Sequence, residues 1–559
     1  MTSDVAVIAR RPPEQVMRLR RLGSFHQCRL SFMRILTRRM GREGWRFSRP
    51  IFDVDARGVG HAVYTAIGPQ RRYSLVAFGH DLPDQDRSDR VIATAWDATF
   101  ALFDGVPDRT DIQRLAGAVP LQEAGRVGPK ELTLSRANRS VRLWRHVVQA
   151  LAAGQQPAEA EIDRVGYLMR TTAVYGSGKF GAADRDTIAN RAEMAAPFQA
   201  EMLTVYLIRA FARDMVEHLA REEGGARAVT LDPRLAERLG IGNSTGLGMA
   251  PFLINHPVLL SNWIAAREEA LARVRSLPSA DPNDLSMLKD LLARSRQALQ
   301  TSPSDHPVQS EKLAILHRDL ERLASHPLTL DPPYPWDRLW CWAEETLSEE
   351  GQEFLVSLIL EPHADLVDGL AETMADSCST GFQIDGAMPL GALRHRLKTT
   401  FGWALDLDWS DRAHSARAWY VSEEKLEPRL GERFEEPISA YEQPLAPARD
   451  AAKVHAAMQD WADSDPVAEF LLAHPEHRHT VRRAQMAEIA PYGEIRDNTI
   501  GAELMPIDML RAKLSFFGAT KFDPRSDRWV RICMYAGAPY PQALSAETAD
   551  RWVYPAVSG

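Results

Sequence analysis

Two glycine-rich stretches carry the residues best suited to chemistry. The first, RTTAVYGSGKFGAADRD, runs from Arg170 to Asp186 and sets Ser177, Lys179 and Arg185 beside Gly176, Gly178 and Gly181. The second, GIGNSTGLGMAPFLINHP, runs from Gly240 to Pro257 and sets Asn243, Ser244 and Thr245 among glycines ahead of His256. Glycine permits close backbone approach, and free N–H groups at a helix start attract anions. Lys179 adds a compact cation or, with a depressed pKa, an amine nucleophile. Together these residues suit a carboxylate or phosphate ligand. The competing reading is a pair of tight joints between helices, with a solvated Lys.

Neither stretch completes a familiar motif. Gly242-Asn243-Ser244-Thr245-Gly246 matches G-x-S-x-G, but a nucleophile elbow follows a strand. The preceding LDPRLAERLG reads as a helix, so Ser244 is expected to bind rather than to attack. Around Lys179, Ala173 stands where a P-loop has its first Gly, and Phe180 follows the Lys. Nucleotide hydrolysis is therefore not implied. A dinucleotide fingerprint is also lacking, no cofactor is identified, and a metal or flavin is left open.

Candidate proton carriers lie nearby in sequence. Pro197 to Arg221 reads as the best helix of the chain and bears Glu201, Asp214 and His218. Asp214 and His218 are i,i+4 neighbours, so the carboxylate is placed to orient the imidazole. Arg170 and Arg185 flank the first loop as anion contacts. Arg136, Arg139 and Arg142 share a face at helical spacing, either as carboxylate binders or as a charged stripe. His474, His477 and His479 have no third ligand in view, so they read as surface residues and no metal ligand set is assigned. The segment Tyr492 to Tyr540 mixes aromatics with Glu494, Arg496, Asp497, Lys513, Lys521 and Arg525, lining a pocket or a solvated hairpin.

The elements that must position these groups are mostly helical. Residues 14–40 read as a basic amphipathic helix, with Gly23 as a flaw. GHAVYTAIG (60–68) and RRYSLVAFG (71–79) form a hairpin about Gly68-Pro69-Gln70. KLSFFGATKFD and RWVRICMYAG form a second around Pro-Arg-Ser-Asp. A lone hairpin is marginal in water, so the two are expected to share one sheet. Arg90 to Phe103 has mixed periodicity. The expected segments are a basic arm (1–50), a β meander (51–105), a helical core with the glycine-rich loops (106–257), an antiparallel helical hairpin (258–330), a helical region with a proline-rich crossing (331–450), and helices followed by the second hairpin (451–559).

The bulk numbers are those of an ordinary globular chain. It has 559 residues, 45% hydrophobic and 25% charged. The longest apolar run, Phe354 to Leu360, is far short of the roughly 20 residues a membrane span needs, so no span is expected. Cys28, Cys341, Cys378 and Cys533 are scattered, which points to a reducing cytoplasm. Net charge is −8. Residues 10–49 hold twelve Arg against Glu14 and Glu43, a balance of +10, so the remainder carries −18. That remainder repels phosphate backbone, so the arm is expected to dock on the chain itself and not on nucleic acid.

The expectation is a mostly α, multi-helix fold with a minor antiparallel β element made by the two hairpins, α+β being the variant. The expected function is an enzyme (lyase, hydrolase or transferase) holding a small anionic metabolite between residues 170–186 and 240–256. Ser177, Arg170, Arg185, Asn243, Ser244 and Thr245 would bind it, and His256, His218, Glu201 and Lys179 would carry the chemistry. A homodimer through 258–326 is the expected assembly. The alternative is a non-enzymatic scaffold using the arm and those helices.

Overall fold

The computed structural model describes residues 8–83, 95–121, 128–171, 188, 190–245, 256–300, 307–327, 332–374, 383–410, 447–496, 512–519, 521–523, 530–550 and 552. Strands β1 (Arg46–Val54), β2 (Gly60–Ile67), β3 (Arg72–Gly79), β4 (Ala98–Asp104), β5 (Glu131–Arg139), β6 (Tyr167–Thr171), β7 (Gly240–Thr245), β8 (Lys521–Asp523) and β9 (Val530–Met534) form one sheet. Their order is β1-β2-β3-β4-β5-β6-β7-β9-β8. Every neighbouring pair is antiparallel except β6–β7, which is parallel.

This corrects the expected fold. The sheet is a central, nine-stranded mixed layer and not a minor element, and the protein is of α/β type. The reason is burial on both faces. Ala98, Phe100 and Leu102 of β4 pack toward the long helix Gln199–Gly224, while Ala101 and Phe103 pack toward the helix Arg109–Ala118. Strands β2 and β3 divide in the same way, with Val63, Val76 and Phe78 on the Arg109–Ala118 side. A strand covered on both sides loses the alternation that marks a half-buried one. The two expected hairpins do lie in this one sheet, with β4 to β7 between them.

Local chemistry explains several elements. Pro50 lacks an N–H, and it sits on edge strand β1 where the register shifts between Ser48 and Ile51. The turn between β2 and β3 closes with Gly68 N donating to Arg71 O at 2.9 Å. Asp108 and Asp111 form a reciprocal capping box on Arg109–Ala118. Prolines open the helices Pro257–Arg275, Pro282–Gln300, Pro307–Ser325 and Pro335–Thr346, where a missing N–H costs nothing.

The basic arm is not one helix. It forms short turns at Pro13–Val16 and Leu19–Arg21, a buried irregular stretch, and a helix at Phe32–Arg42. Ser24 Oγ donates to His26 O at 2.7 Å inside that stretch, a local bond that competes with helix. The arm docks on the acidic remainder, as expected. Arg11 bonds Glu268 and Glu353, each at 2.7 Å, and Arg21 and Arg267 also reach Glu353 at 3.2 Å. A second cluster joins Arg29, Arg34 and Arg38 to Glu361, Asp368 and Asp550.

The helices at 282–325 also turn inward. Leu288, Leu291, Leu292 and Leu299 face Leu313, Leu316, Leu320 and Leu323 in the main core, and both helices pack on Glu349–Leu360. These leucines are therefore covered within the chain. A separate small core joins the helices Leu390–Leu405, Pro447–Ala457, Val467–Ala473 and Arg478–Met486. Among the described residues no helix is long and apolar enough to cross a membrane.

Candidate functional site

The expected joint at Gly240 is a strand. Gly240 to Thr245 are β7, pairing with β6 on one side and β9 on the other. Its glycines admit close neighbours. A Cβ at Gly240 would lie 2.4 Å from Met534 O, and one at Gly242 would lie 2.7 Å from the Tyr167 ring. Close approach, not a turn, explains these two glycines. Ser244 and Thr245 sit in the ladder opposite Arg531 and Val530, and their side chains lie outside the described residues. The helix expected ahead of Ser244 is present at Pro233–Arg238, but strand β7 intervenes, so Ser244 is held within a paired strand rather than on a turn beyond it.

Asn243 is the sequence-named residue that the structure places in a distinctive setting. It is 4% exposed. Its Nδ2 donates to Thr171 O at 3.1 Å, tying β7 to the end of β6. Its Oδ1 accepts from Lys513 Nζ at 2.7 Å. Thr171 Oγ1 lies 2.9 Å from Ser135 Oγ, and on the same strand Thr133 Oγ1 lies 2.7 Å from Thr204 Oγ1 of the long helix. A buried polar file therefore crosses β5, β6 and β7 beneath that helix.

Lys513 is 2% exposed. Burial pushes its amine well below the ordinary 10.5, because the charged form loses water. It opens a π-turn, Lys513–Phe517, closed by Gly518 at φ +90°. Here the structure departs from the expected strand over KLSFF. Phe516 packs on Trp263 at 4.0 Å between centroids, and Phe517 packs on Phe32 and Phe198 at 5.2 and 5.1 Å. Successive aromatics thus bury into neighbouring parts of the core, as a helical turn allows. A Cβ at Gly518 would meet Ser31 Oγ at 2.6 Å. Single π-turns of this kind concentrate at functional sites.

The other expected residues are dispersed. Glu201 is buried in the first turn of the long helix. His218 lies about 25 Å further along that helix at about 1.5 Å per residue, where its Nε2 is 2.9 Å from Asp55 O in the turn between β1 and β2. Asp214 does not orient His218. It accepts from Tyr64 Oη at 3.0 Å and pairs with Arg49 at 2.7 Å and Arg213 at 2.9 Å. His256 is exposed ahead of Pro257–Arg275. Arg170 is half-buried in β6, opposite Gly242. Lys179, Ser177 and Arg185 lie outside the described residues. Arg136 and Arg139 sit on β5, where an odd separation puts them on opposite faces rather than one stripe.

Sequence reasoning named Lys513 only among many charged residues near the C-terminus. A sharper signal was present. It is one of nine Lys among 67 basic residues, and it interrupts the apolar run LRAKLSFFGA. Possible metal ligands also converge once among the described residues, at His474, Glu476 and His477. Comparison of the chain with protein-family models, with curated proteins and with solved structures finds no match.

Proposed function

We propose that this protein is an enzyme acting on a small anionic metabolite, a carboxylate or a phosphate, with Lys513 as its central basic group. The observation that carries the reading is the Lys513–Asn243–Thr171 connection at the carboxyl ends of β6 and β7. These two strands are the parallel pair among the described residues. In mixed and parallel sheets, ligands favour the crevice outside the carboxyl ends of such strands. The glycine-rich sequences that follow Thr171 and Thr245 begin at that same end. A buried amine is a costly thing to keep for stability alone. With its pKa lowered by burial, it is suited to act as nucleophile or base, roles open to lyases, hydrolases and transferases alike.

The reading carries a reducing cytoplasm with it, in keeping with the unbridged thiols Cys28 and Cys341 among the described residues. A homodimer through 258–326 belongs to the same reading as a separate proposal, although many leucines of those helices are already buried within the chain. The enzyme reading is also favoured over the scaffold alternative, because the arm's Arg11, Arg29 and Arg34 are already paired in the interior.

Thermal unfolding of the full chain against millimolar inorganic phosphate, 2-oxo acids and dicarboxylates tests the reading. At least one anion raises the midpoint of the wild type, by about 2.7 kcal/mol in stability at a hundredfold excess over Kd, and leaves Lys513→Met unmoved. Equal response of both proteins, or none in either, sinks the reading.

A further inference from the structure

The corner between the helices Val467–Ala473 and Arg478–Met486 is made by one tight turn, Pro475–His477. His474 N donates to Phe470 O at 2.8 Å and His477 N to His474 O at 3.1 Å, so the backbone of the corner is fixed. Three side chains converge on it. His474 Nδ1 lies 3.5 Å from Glu476 Oε1, and His477 Nε2 lies 3.8 Å from the same oxygen. All three donor atoms fall within 4.8 Å of one another. The nearby His479, expected with the other two histidines to be a surface residue, is not part of the group: it is exposed and accepts from Arg478 Nε at 3.3 Å. The third donor is Glu476.

These separations are longer than good hydrogen bonds. They match ligands that share an ion. A tetrahedral centre with bonds of ~2.0–2.2 Å sets its donor atoms about 3.3–3.6 Å apart. The widest pair here closes by roughly 1 Å on that scale, within reach of rotation by partly exposed side chains. The imidazoles are already steadied: Phe470 packs on His474 at 5.0 Å and on His477 at 6.0 Å between centroids, and Trp461 meets His474 edge-on. His477 keeps only 16% of its side chain exposed. Asp450 adds negative potential at His477, which Lys453 partly offsets.

We propose that His474, Glu476 and His477 form a binding site for a divalent transition-metal ion of the zinc type, with the fourth position left to water. Two imidazoles and one carboxylate are a donor set that suits zinc, nickel or copper, and not calcium or magnesium, which take oxygen ligands. The site lies in the small helical core, away from Lys513, and stands whether or not the proposed activity does.

Isothermal titration of Zn2+ into the full chain, stripped with a chelator and dialysed, tests it. The wild type takes up one equivalent more than His477→Ala, and Glu476→Gln weakens that equivalent at least about tenfold. His479→Ala, two positions beyond the trio, leaves the binding unchanged. Far-UV circular dichroism checks that each variant is folded, which exposed or half-exposed positions allow. Equal Zn2+ uptake by the wild type and His477→Ala, or an equal loss in His479→Ala, overturns the proposal.

Discussion

Arg11 and Glu353 meet at 2.7 Å with the arginine side chain 2% and the carboxylate 0% exposed. Arg267 and Arg21 approach the same carboxylate. Three guanidinium groups hold Glu353 down to about 2, against an ordinary 4.5, despite the opposing cost of its burial. A carboxyl with a lowered folded pKa contributes stability that is present above 4.5 and is lost as pH falls toward 2. Glu353→Gln is therefore expected to cost about 3–5 kcal/mol at pH 7, since it strands buried cations. The variant's urea midpoint should also fall less steeply than the wild type's between pH 4.5 and 2. A loss under about 1 kcal/mol would show that the cluster relaxes or admits water.

Removal of residues 1–42 should abolish folding rather than trim a tail. Phe32, Met33, Ile35, Leu36 and Met40 are all core residues. At about 1.5–3 kcal/mol each, their loss matches the 5–15 kcal/mol that holds a typical protein together. The truncated chain should lose its near-UV circular dichroism. The intact chain should show no steeply salt-dependent affinity for duplex DNA, because Arg11, Arg29 and Arg34 already face carboxylates inside the protein.

Lys513 gives a test by pH. Its folded pKa lies below 10.5, so the unfolded chain binds that proton more readily. The sign is opposite to that of a salt-bridged lysine: stability is penalised at neutral pH and recovers as pH rises toward 10.5. Lys513→Met removes the penalty. The variant should equal or exceed the wild type in stability at pH 7, and the difference should shift in favour of the wild type by pH 10. A pH-independent difference would mean that the amine is charged in the fold.

Gly242→Ala checks β7 directly. Its Cβ would press on the Tyr167 ring at 2.7 Å, which costs about 1–3 kcal/mol. Gly117→Ala is the control. It meets nothing within 4 Å, in an exposed part of the Arg109–Ala118 helix, and should gain about 0.5–1 kcal/mol. Equal effects of the two would argue against the close packing of β6 on β7.

The helices were legible in the sequence because their apolar residues recur at helical spacing and their starts carry proline or Asp caps. Pro197 to Arg221 and the segments after 257 show this plainly. The sheet was hidden for the opposite reason. Ala98 to Phe103 is buried on both faces and shows no period. Ser135 to Arg139 is polar, yet it lies between other strands. Gly240 to Thr245 is poor in β-formers, and only the approach of Met534 and Tyr167 explains its glycines. At the candidate site, Asn243 was named from its neighbours in sequence. Its partner Lys513 was not singled out, because no local pattern reports a contact spanning half the chain. Glu476 is not legible as a ligand because helical spacing does not bring it to the histidines, whereas the turn Pro475–His477 does.

The parallel strand β7 has a consequence for how the chain is made. Its outer edge pairs with β9, so Ile241 waits for Met534. At ~5–20 residues per second, that wait lasts on the order of 15–60 s on the ribosome. Strands β1 to β6 close their ladders as they emerge, each on the one before. β7 then stands as an open edge until β9 has been synthesised, and such edges invite pairing with other chains. The nascent protein is thus most prone to aggregate in the interval between synthesis of β7 and of β9, and chaperone binding should peak there. Release of a chain stopped before Val530 should yield insoluble material even though most of the core is present.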